Sequence, residues 1–122
     1  PLANAVNLLF PSIYTFAADQ DKWKKYATAQ ISEARRLAPG KPVYVYLWPQ
    51  YHESAPAALV HTYIPADYWL LQLETAREFA DGIVLWGNAS DWVPGAAWWQ
   101  VTIDFMARLK QPPSAPRGLK AP

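Results

Sequence analysis

The chain has 122 residues, 11 Lys and Arg against 10 Asp and Glu, and no cysteine. It holds one domain at most and is too short for a whole (β/α)8 barrel of about 250 residues; a net charge of +1 offers no basic stripe to a nucleic acid. Apolar residues at 52% against 17% charged predict a packed core, and lack of cysteine excludes disulfides, thiol catalysis and Cys-ligated zinc.

The first predicted element is a strand over residues 6–13, a nearly continuous apolar run of the kind covered on both faces. Pro11 inside it removes a ladder donor, so the strand should end or bulge there. Residues 20–38 read as a helix: Trp23, Ala27, Ile31, Ala34 and Ala38 recur at helical spacing. Asp19 is its expected N-cap and Pro39-Gly40 its stop. Residues 43–48, Val-Tyr-Val-Tyr-Leu-Trp, are β-branched and aromatic and alternate an aliphatic with an aromatic face. A loop over residues 49–65 follows; connections beyond about 12–15 residues in a compact domain are usually functional or disordered. Residues 66–80 form a second helix, with Trp69, Leu73, Ala76 and Ala80 as its buried stripe. Residues 83–87 form a short strand, 88–95 a loop, and 96–110 a third helix. That helix is apolar nearly all round, which predicts cover on more than one side. Residues 111–122 contain four prolines and no apolar period, and read as a flexible tail.

Strands alternating with helices through short turns imply parallel strands and right-handed crossovers. The fold class is therefore α/β: three βα units of a parallel (β/α) barrel, a half-barrel in residues 1–110. The open edges of such a sheet predict completion by oligomerisation, most simply as a homodimer. No apolar run reaches the ~18 residues of a membrane span. Residues 1–4 show no basic start followed by an apolar stretch, so neither a membrane partner nor a signal peptide is expected, and no compartment is assigned.

Three segments, Leu9-Phe10-Pro11-Ser12-Ile13-Tyr14, Lys41-Pro42-Val43-Tyr44-Val45-Tyr46 and Asp81-Gly82-Ile83-Val84-Leu85-Trp86-Gly87, occur in this order with a helix between each. Together they resemble the later strands of hyaluronidase-type glycoside hydrolases, which are distorted (β/α) barrels. The resemblance covers roughly residues 5–110. It implies a sugar-positioning aromatic patch at Tyr14, Tyr46 and Trp86. Phe10 stands where that family has a tyrosine. The family's acid–base Asp-x-Glu motif occurs nowhere in these 122 residues.

Ligands of barrels and doubly wound sheets sit at the strand C-termini. The residues expected there include Tyr14, Tyr46, Trp48, Tyr51, Trp86, Asn88 and Trp92, whose flat faces and polar tips suit a saccharide. Hydrolysis of a glycoside needs two carboxyls about 5–9.5 Å apart. Glu53 and Asp91 follow adjacent strands and form the candidate catalytic pair, with His52 beside them. Against this, Glu53 also reads as a solvated loop charge, Asp91 as a loop turn, and Trp98-Trp99 as packing. An ester hydrolase using His52 with Ser54 and Asp91 is one alternative, although no Gly-x-Ser-x-Gly elbow exists. A non-catalytic oligomeric interaction module is another. His52, His61 and Glu53 could ligate a metal, but nine residues of loop between the histidines supply no helical geometry. The five glycines are scattered and make no phosphate loop, so no metal or cofactor is expected.

Overall fold

The computed structural model describes residues 2–111. A four-residue helix α1 (Leu2–Ala5) precedes α2 (Gln20–Leu37), β1 (Tyr44–Leu47), α3 (Ala66–Phe79), β2 (Gly82–Leu85), a 3-10 turn (Ala89–Asp91) and α4 (Ala97–Leu109). Asp19 caps α2 as its position predicts, its carboxylate accepting from Lys22 N at 3.0 Å. The expected tail lies, apart from Gln111, outside the described residues. No described helix is long and apolar enough to cross a membrane.

Two strands form among the described residues, where the sequence predicts three. β1 and β2 run parallel, with Tyr44 opposite Gly82 and Leu47 opposite Leu85. The run over residues 6–13 lies alongside β1 but forms only isolated bridges, at Leu9↔Val43 and Ser12↔Tyr46. Pro11 is the reason. Leu9 donates to Pro42 O and accepts from Tyr44 N, and Ile13 donates to Tyr46 O. Between them Pro11 accepts from Tyr46 N at 3.0 Å but has no N–H to return. The register survives and the ladder does not. A further bridge, Thr15↔Tyr51, is shifted by two residues because the chain bends after β1.

The two faces of the sheet have different fates. Val43, Val45 and Leu47 are fully buried in one core with Trp23, Ala27 and Ile31 of α2, Trp69, Leu73 and Ala76 of α3, and Trp98 and Phe105 of α4. On the opposite face Phe10 packs on the rings of Tyr44 and Tyr46, and Phe10 and Tyr44 stay exposed. Within the chain α4 buries Trp98, Thr102 and Phe105, while Ile103, Met106 and Leu109 face outward, so cover on a second side is not supplied by the described residues.

The loop over residues 49–65 is closed at its base. Tyr51 donates to Thr62 O, His61 to Tyr51 O, and Ile64 to Pro49 O, all at 2.8–3.0 Å. His61 holds a left-handed backbone conformation (φ 60°), the only non-glycine residue with positive φ among those described. At the other end of the sheet, Asp81 accepts from Val43 N and from Arg35, and Arg35 also donates to Phe79 O, tying α2, α3 and both strands together.

Candidate functional site

Six aromatic rings, two of them imidazoles, gather where β1 and β2 end. Trp48, one residue past β1, meets Trp86, one residue past β2, edge to face with centroids 5.0 Å apart. Tyr14 packs on both, at 6.0 and 6.3 Å. The His52 imidazole stacks on Tyr14 at 5.9 Å with 22° between planes, and Phe16 meets His52 at 5.0 Å. His61 closes the other side of Trp48 at 5.6 Å. Exposure separates their roles: Trp86 is 43% exposed and Trp48 only 5%. Trp86 is an open flat surface, and Trp48 is the wall it leans on. Burial, with a smaller contribution from Tyr46, raises the Tyr14 pKa above the ordinary phenol value, against an opposing hydrogen bond with Ser12. Its hydroxyl stays protonated and able to donate at neutral pH.

Phe16, which the sequence places with Tyr14 beyond the first strand, joins this cluster, and so does His61, which the sequence did not place in the cleft. The signal for Phe16 was its spacing of two from Tyr14, the same-face period of an extended chain. His61 had none, because it arrives by the return of the loop. Tyr46 is half-buried against Phe10 and near enough to Tyr14 to act on its pKa. Other expected positions fall elsewhere. Tyr51 is 3% exposed and packs on Tyr68 in the core, so it borders no open cleft. The bend after β1 breaks the period-two alternation and turns its side chain inward. Trp92 meets Trp98 and Trp99 edge to face in a separate cluster. Asn88 is exposed at the start of the 3-10 turn.

The charged candidates are also separated. Glu53 is three-quarters exposed, its carboxylate 4.0 Å from the His61 ring. Asp91 is fully buried. Its Oδ1 accepts from Gln50 Nε2 and from the Tyr63 hydroxyl at 2.8 Å. Its Oδ2 accepts from Asn88 N at 2.9 Å and from Trp48 Nε1 at 3.4 Å. A carboxylate offers about four lone-pair sites, and all are taken. Burial by itself would raise the Asp91 pKa, but the hydrogen bonds from Tyr63, Asn88, Trp48 and Gln50 outweigh it and hold the group below the ordinary aspartate value. A general acid needs the opposite shift.

His52 Nδ1 accepts from Ser54 N at 3.1 Å and lies 3.2 Å from Ser54 Oγ. Nδ1 therefore carries a lone pair, and in the neutral ring the proton is on Nε2. Asp91 does not orient this imidazole, so the arrangement is not that of a Ser-His-Asp triad. Among the described residues no three His, Asp or Glu side chains gather in a group able to hold a metal ion. What the site offers is one open indole, backed by a second indole and a tyrosine, with hydroxyl and imidazole N–H groups at its margin.

No protein-family model matches the chain, and no curated protein matches its sequence. Solved structures do match its fold. Bee venom hyaluronidase superposes with a TM-score of 0.62 and 20% identity, over 87% of this chain and 34% of that one. The same enzyme in complex with a hyaluronic acid tetramer gives 0.57 and 20%, over 83% of this chain and 32% of that one. The chain thus has a hyaluronidase-like fold and spans about a third of the length of these neighbours.

Proposed function

We propose that the chain is the ligand-facing part of a glycoside-hydrolase-type (β/α) barrel and binds a saccharide on Trp86, between Tyr14, Trp48 and His52. The observation that carries this reading is the exposed Trp86 indole at the strand C-termini, held edge-on against a buried one. An apolar ring face left open there suits the apolar face of a pyranose, and the surrounding donors suit its hydroxyls. The fold likeness supports the reading, because one of the neighbours is seen with a hyaluronic acid tetramer.

Titration calorimetry with a hyaluronan tetrasaccharide tests it. Trp86→Ala should weaken binding about tenfold, roughly 1.4 kcal/mol, with an unchanged melting temperature. Equal affinity for parent and variant rejects the site. Turnover is a separate matter. If the chain hydrolyses glycosides, Glu53 and Asp91 are the pair that would carry it. Saturation of Asp91 and exposure of Glu53 argue for little or no activity by this chain alone. Undiminished turnover by a Glu53→Gln, Asp91→Asn double variant would reject that pair.

A second reading rests on the edges of the sheet. Leu8, Leu9, Phe10 and Leu37 line an apolar groove beside the broken first strand. Ile83, Leu85, Phe105 and Met106 line another beside β2. With all strands parallel, a two-fold axis along the strands would set the first edge of one copy against the last edge of another. A homodimer of half-barrels is the assembly these edges suit.

A further inference from the structure

Gly87 follows the open indole of Trp86, and its backbone does not call for glycine: among the described glycines only Gly40 and Gly95 have positive φ. Its surroundings do. A Cβ at Gly87 would lie 3.0 Å from Asp91 Oδ2 and 3.6 Å from both Asp91 Cβ and Trp92 Nε1. The carboxylate has no freedom to give way. Its Oδ1 is held by Gln50 and Tyr63, and rotating the group breaks both bonds. The same Oδ2 accepts from Asn88 N, two residues after Trp86, and from Trp48 Nε1, the indole on which Trp86 rests. One buried oxygen therefore reaches Trp86 by two routes, through the backbone that follows it and through the ring beneath it.

We infer that Asp91, in close contact with Gly87, is a positioning residue that sets the plane of Trp86 for its ligand. The inference rests on the saccharide reading of the cleft for its consequence, and on the hydrogen bonds and the glycine contact for its geometry. Asp91 touches no ligand in this arrangement. It fixes the angle at which an aromatic surface is presented, and Gly87 is the only residue type that lets it come close enough.

The test uses the full chain, with Gly87→Ala and Asp91→Asn each made alone and in a Trp86→Ala background. Asparagine at 91 loses two of the four acceptor sites. Alanine at 87 displaces Oδ2 without removing any hydrogen-bonding group, and it provides the reading if Asp91→Asn fails to fold. Both variants should shift the Trp48 indole N–H resonance and weaken the Trp48–Trp86 ring cross-peaks in NMR spectra. Both should lower hyaluronan tetrasaccharide affinity about tenfold, and neither should lower it further once Trp86 is alanine. Unaltered Trp48–Trp86 cross-peaks in both variants overturn the inference. So does an equal affinity loss with and without Trp86, which would mean that Asp91 acts on the sugar directly. A parent chain that binds no saccharide, with altered cross-peaks in the two variants, removes the saccharide reading and leaves the positioning role standing.

Discussion

Asp91 keeps its charge inside the protein because four donors replace the water it gave up. This makes stability depend on acid in a definite direction. The unfolded carboxyl titrates near pH 3.9, and the folded one lower. The stabilisation is complete above about pH 4 and is lost as the pH falls through the lower folded value. Asp81 is shifted the same way, first by its hydrogen bond from Val43 N and then by Arg35. Urea unfolding from pH 7 down to pH 2 should show this loss. Asp91→Asn should be less stable at pH 7 by about 2 kcal/mol, since buried donors lose their acceptor, and its stability should fall less steeply below pH 4. Tyr68 acts at the other extreme. Burial, then Tyr51 and Asp19, raise its pKa, opposed by a hydrogen bond with Gln72. Its stabilisation is present below pH 10 and is lost above it. Tyr68→Phe, which removes a bond to Ala17 O, should cost about 1 kcal/mol at pH 7 and flatten the alkaline limb of the same curve. Neither group's environment was legible in the sequence. Asp91 reads as a loop turn because the donors from Gln50 and Tyr63 reach it only when the loop over residues 49–65 folds back.

At the scale of elements, the three long helices and the two strands are written locally. The helical repeat of Trp23, Ala27, Ile31 and Ala34 is the buried stripe of α2, and the alternation in residues 44–47 is the two-sided sheet. Asp19→Ala should cost about 1 kcal/mol in thermal unfolding through the lost cap. The first strand is the instructive miss: its apolar content is right for a buried strand, and a single imino acid turns a ladder into separate bridges. Pro11→Ala would supply an N–H facing Tyr44 O. Hydrogen exchange should then show a protected amide at position 11 and better protection at Leu9 and Ile13. Net stability should change by less than about 1 kcal/mol, because the new hydrogen bond is offset by a more flexible unfolded chain. An unprotected amide at position 11 would mean that more than proline keeps the strand apart.

For the whole molecule, the open sheet face of Phe10, Tyr44 and Tyr46 and the outward Ile103, Met106 and Leu109 of α4 are apolar surface that water covers poorly. Light scattering at micromolar concentration should find twice the chain mass, and the melting temperature should rise with concentration. A well-folded species of one chain mass would reject the dimer. The parallel pairing of β1 and β2 across α3 was legible from the alternation of elements. Association was argued from the same pattern, and it depends on surfaces that no local period describes. The zipped loop over residues 49–65 has its own consequence. Its base is fastened by Tyr51, His61, Thr62 and Ile64, while residues 56–58 at its tip are exposed. Lengthening such a loop costs only about 0.6 kcal/mol per doubling. A cut between Ala57 and Ala58 would leave β1 on one piece and β2 on the other, with the parallel pairing of Tyr44–Leu47 and Gly82–Leu85 to rejoin them. Tagging the two pieces with proteins that associate should then restore the edge-to-face pair of Trp48 and Trp86, read as the return of its near-ultraviolet circular dichroism.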